Sequence, residues 1–137
     1  MAQTLFAPSW TLTDTLISID QDTGSGTAVG PCADFIGGLT TWNNDLWGVR
    51  LSLDEIIKIN PLTGATLYTI SGLAFDFIGE GDIAVHPTTG IGWASAVSGG
   101  FGTQMYRIDL VAETATGTGS GANWITFTIK IDGLAYD

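Results

Sequence analysis

An all-β fold built from repeated antiparallel sheets is what the sequence predicts, and three observations carry that expectation. Short stretches of apolar and polar alternation recur with the same turn chemistry behind them. Glycine is abundant, at 19 of 137 residues, and punctuates the chain at turn positions. Runs of helix-forming residues are nearly missing, which argues against a helical bundle and against a parallel α/β sheet. The length suits one domain or one set of repeats, and 45% hydrophobic residues are enough for a core.

The clearest repeat is a strand that ends in a turn-forming residue. LISID (16–20), IIKIN (56–60) and MYRID (105–109) align column by column, closing on Ile and then Asp or Asn. Two copies run on into DTG (22–24) and LTG (62–64), where glycine supplies the positive φ of a hairpin turn. The third has VAE (111–113), so a different turn is expected there. A Thr/Gly-rich strand follows each: GTAVG (26–30), ATLYTIS (65–71) and ATATGTGS (115–120). Ahead of the anchors, GLTTWNNDLWGVRLS (38–52) and DIAVHPTTGIGWASAVS (82–98) each read as strand, polar turn and strand, centred on Trp47 and Trp93. A third element, ADFIG (33–37), FDFIG (75–79) and ANWIT (122–126), puts Asp34, Asp76 and Asn123 in one column. The anchors stand 40 residues apart (20 to 60) and then 49 (60 to 109). Those periods fit β-propeller blades of four short strands.

The phrases LISIDQDTG, IIKINPLTG and IDGLAYD resemble the bacterial β-propeller repeats of the YVTN and quinoprotein-like type. The likeness spans nearly the whole chain. It departs at the third turn and at His86-Pro87, which stands where the repeat has Asp-Pro. It implies a fold and leaves function open, because such propellers serve as enzymes, lectins and scaffolds.

The expected architecture is a single half-propeller domain, 1–137, of three four-stranded blades. IDGLAYD (131–137) matches GLTTW and DIAVH as an innermost strand, while QTLFAPS (3–9) matches LWGVRLS with no innermost strand before it. One blade is therefore divided between the two ends. Three blades do not close a ring, because closed propellers have roughly four to eight. A homodimer exchanging strands at its termini gives a six-bladed ring with the commonest closed symmetry.

Fourteen acidic against four basic residues leave a formal charge of −10, which opposes nucleic acid and anionic membranes as partners. The start, MAQTLFAPSW, has neither a basic nor an apolar signal region, so no signal peptide is expected. Cys32, the only cysteine, is expected to be a buried, inert thiol.

Candidate ligand-binding residues fall in two loop sets that the resemblance places on one face. Loops entering the innermost strands carry Asp34, Asp76 and Asn123, a column whose oxygens suit Ca²⁺ or, more simply, cap turns through their own backbone. Loops between second and third strands carry Trp10, Arg50 and Phe101, and the two aromatic rings suit stacking on a sugar. Trp47 and Trp93 are expected in the core, and Trp124 between blades. DQDTG (20–24) reads as a hairpin turn, as its twin NPLTG (60–64) shows, and His86 as a surface turn residue. No catalytic motif is present, and no cofactor is expected. The expected function is a non-catalytic binding or structural module whose partner is itself, with a small molecule or glycan as ligand. A lectin-like propeller and a metal-dependent, lactonase-like hydrolase are the alternatives.

Overall fold

A computed structural model describes residues 4–9, 14–71, 81–98, 102–117 and 134–135. Eleven strands make three antiparallel sheets, and the described residues contain no helix. The first sheet is β1 (Leu5–Ser9), β2 (Thr15–Ile19) and β3 (Gly26–Pro31). The second is β4 (Ile36–Trp42), β5 (Asp45–Arg50), β6 (Glu55–Ile59) and β7 (Thr66–Ile70). The third is β8 (Gly81–Val85), β9 (Ile91–Ser98), β10 (Gly102–Asp109) and β11 (Thr114–Gly117). Every sheet is a meander of consecutive strands. With no helix described, none is long and apolar enough to cross a membrane.

The registers of the three sheets coincide at several positions. Phe6 pairs with Ser18, Trp47 with Lys58 and Trp93 with Arg107. One step along, Leu5 and Leu46 pair with Ile19 and Ile59, and Gly92 with Ile108. In the first strands of the second and third sheets Leu39 pairs with Gly48 as Ile83 pairs with Ala94. The first sheet has no described strand at that place beside β1.

Side chains alternate between the two faces of a strand, and both faces of the second sheet are used. Leu46, Ile57 and Ile59 pack with Leu16, Phe6 and Val29 of the first sheet. Trp47, Val49, Ile56 and Ile70 pack with Ile83, Val85, Tyr106 and Ile108 of the third. Trp47 is buried, as expected. Trp93, of the same column, is only half-buried and lies outside both cores. It occupies the face of the third sheet turned away from the second, where no described sheet covers it. Cys32 is likewise half-buried rather than buried, packed against the first core. Burial first, and the charge of Asp14 second, push its thiol up, so it stays protonated and unreactive at neutral pH.

The turns share one design. Asp20 Oδ1 accepts hydrogen bonds from the Asp22 and Thr23 amides, Asn60 Oδ1 from Leu62 and Asp109 Oδ1 from Val111 and Ala112. His86 imitates them, its Nδ1 accepting from the Thr88 and Thr89 amides at 3.2 and 3.3 Å. His86 thus takes the part that Asp20, Asn60 and Asp109 play in the other turns. Four residues after each anchor the chain turns left-handed, at Gly24, Gly64, Gly90 and Glu113. The expectation of a different third turn is thus corrected. Glu113 takes φ 54° itself, and its carboxylate receives the Tyr68 hydroxyl from the second sheet.

Neighbouring sheets approach too closely for side chains at several points. A Cβ on Gly64 would lie 2.6 Å from the Pro31 carbonyl oxygen and 2.8 Å from that of Gly30. One on Gly38 would lie 2.7 Å from Asp82 Cα, where β4 meets β8. These contacts set the spacing of the three sheets.

Candidate functional site

The end of the second sheet gathers the charged residues. Asp34 precedes β4, Arg50 ends β5 and Glu55 opens β6, directly opposite Arg50 across the hairpin. The Arg50 guanidinium donates from Nε to Asp34 Oδ1 at 2.8 Å, and Nη2 contacts the same oxygen. Nη1 donates to Glu55 Oε2 at 3.1 Å. A guanidinium forked between two carboxylates is a fixed, net-negative unit that presents acceptor oxygens at a set spacing. Burial opposes the Arg50 charge, yet the Asp34 and Glu55 contacts outweigh it and raise its pKa. The Arg50 hydrogen bond, with help from Ser52, holds the Asp34 carboxyl below its ordinary range.

Two apolar side chains stand out in the same loops. Phe35 is 54% exposed at φ 50°, and Leu53 is 56% exposed beside Asp54 at φ 54°. A bulky residue in the left-handed region carries backbone strain, which the hydrogen bond from the Leu51 amide to the Phe35 carbonyl helps to hold.

The structure therefore unites Asp34 and Arg50, taken from two different loop sets. Asp34 serves mainly as the partner of Arg50, which corrects the simpler picture of a residue capping its own turn. Asp76, Asn123, Trp10 and Phe101, with Trp124, lie outside the described residues. No group of three or more metal-ligating side chains occurs among the described residues. Neither Glu55 nor Asp82 was singled out from the sequence. Glu55 was findable, since a hairpin with a four-residue loop places it opposite Arg50. Asp82 Oδ2 instead accepts the Leu134 amide at 2.6 Å, a contact 52 residues away that no local pattern reveals.

The pairing makes a prediction about acid. A carboxyl with a lowered pKa stabilises the fold fully above its unfolded value near 3.8, and that stabilisation disappears as pH falls through the lowered folded value. Asp34→Asn is expected to lower stability by at most ~1 kcal/mol at neutral pH, since the pair is partly exposed. The variant's melting temperature should also fall less than wild type's between about pH 5 and pH 3. Parallel acid limbs would mean that the ion pair is not formed in solution.

A scan against protein-family models finds no match, and neither does a search of curated proteins.

Proposed function

We propose that the chain is a non-catalytic binding module, three blades of a propeller that two copies complete to six. The reading is supported chiefly by the coincident registers of the three sheets, the pattern of a blade repeated side by side. The ligand face is the edge where loops enter innermost strands and leave second strands, and there Asp34, Arg50 and Glu55 meet. Arg50 already engages both carboxylates, so the cluster suits holding a ligand's hydroxyl groups better than moving a proton.

The exposed Phe35 favours one ligand class in particular. An aromatic face beside carboxylate acceptors is the combination that binds sugar rings, by stacking and by hydrogen bonds from hydroxyls. A glycan array with wild type, Phe35→Ala and Arg50→Ala tests this. Binding by wild type, lost about tenfold or more in each variant, is the expected result. Binding that both variants retain would move the site elsewhere, and no binding at all would remove the carbohydrate reading.

A further inference from the structure

We infer that the rear face of the first sheet is the docking surface for the front face of the third sheet in a second copy of this chain, with residues 134–135 of that copy lying beside β1. The inference rests on the six-bladed reading and specifies its seam.

The chain supplies its own template for this contact. At the junctions of first with second and second with third sheets, one sheet's rear face meets the front face of the sheet before it. The rear faces of the second and third sheets are closed, with Leu46 3%, Ile57 0% and Ile59 1% exposed in the one and Tyr106 and Ile108 0% in the other. The matching positions of the first sheet are open. Leu5 is 51% exposed, and Ile17 and Ile19 are only half-buried. At the other end of the row, the third sheet's front face leaves Trp93 and Met105 half-buried. One face lacks what the other offers, and both are of the type that already mate twice within the chain.

The strand edge agrees with the faces. Among the described strands, β1 has a neighbour, β2, on one side only, whereas β5 and β9 are each flanked on both. The missing neighbour is the counterpart of β4 and β8. Leu134 and Ala135 fall in the sequence columns of Leu39 and Thr40, and of Ile83 and Ala84. Leu134 is held by its amide to Asp82 of β8, the strand that β4 approaches at Gly38. The residues therefore continue the row of innermost strands on the side where a fourth sheet would begin. Transferring the register of β4 on β5 places Leu134 opposite Ala7 and Ala135 opposite Phe6. Pro8, which has no amide hydrogen to give, then falls at the position of Val49, where β4 carries a bulge and the ladder skips.

The test is made in a Cys32→Ser background, mixing a copy carrying Ala7→Cys with a copy carrying Leu134→Cys under mild oxidation. Light scattering on the unoxidised protein gives the mass. The expected result is twice 14.3 kDa and a covalent dimer between the two different copies, lost when Leu5→Cys replaces Ala7→Cys. A dimer mass without this cross-link would keep the ring and overturn the seam. Three times the chain mass with the cross-link would keep the seam and overturn the six-bladed ring. A folded monomer, whose singly substituted copies never join, would overturn both.

Discussion

Gly64→Ala is expected to lower folding stability by about 2–5 kcal/mol. Two separate penalties add there. Gly64 has φ 79°, where an L side chain costs roughly 1–2 kcal/mol. The new methyl also runs into the carbonyl oxygens of Gly30 and Pro31, and forced packing of that kind costs roughly 1–3 kcal/mol. Gly24 provides the comparison, because it has the same turn position, φ 71°, and no atom beyond its two chain neighbours within 4 Å of where a methyl would stand. Gly24→Ala should cost only the conformational share, about 1–2 kcal/mol. Urea unfolding of the two variants measures the difference, which is the contribution of the junction between first and second sheets. Equal losses would mean the sheets sit farther apart than these distances require. An additional loss at Gly24 that grows with dilution would belong to contact between copies.

Trp47→Ala is expected to cost about 3–5 kcal/mol, and Trp47→Phe no more than ~1.5 kcal/mol. The first value follows from burial, for Trp47 is 3% exposed in the core between second and third sheets. The second follows from chemistry. The indole Nε1 is buried with no hydrogen-bond partner among the described residues, and a desolvated donor is a standing cost of about 1–3 kcal/mol. Phenylalanine loses ring volume but removes that donor, and the first sheet already uses Phe6 in the same register. Lys58 Nζ, 5.8 Å from the ring centroid, has a π face to contact in either case. Thermal unfolding ranks the three proteins. A Trp47→Phe loss as large as that of alanine would show that the indole nitrogen is satisfied.

Much of this fold was legible because its information is local. The alternation in IIKIN and the turn chemistry of Asp20 and Asn60 act within a few residues, and each emerged where the pattern put it. The column of Trp47 and Trp93 was legible too, since a strand repeats its faces with period two. The match of QTLFAPS to LWGVRLS set Thr4 there, and only the register of β1 on β2 shows that Phe6 takes that place. What a residue packs against was not. Trp93 looks like Trp47 in sequence and differs only in whether another sheet follows. Glu113 broke the glycine rule because a left-handed residue is tolerated when the Asp109 hydrogen bonds and neighbouring contacts already fix the turn. The Asp34–Arg50 pair crosses 16 residues and two loops, and composition carries no signal for it. Only the hairpin that seats Glu55 opposite Arg50 was there to be read.

The meander order of the sheets has a consequence for how the chain reaches its fold. Every described strand pairs with its neighbours in sequence, so each sheet closes short loops whose entropy cost is small. Hairpins of this kind assemble in about 1–10 μs, long before distant segments meet. The slow event is then expected to be the docking of preformed sheets, which brings Gly38 and Gly64 against their neighbours. Amide exchange should divide the molecule accordingly. The second sheet, enclosed on both faces, opens only when the whole structure does, while the first and third release their protons through smaller, partial openings from the outside inward.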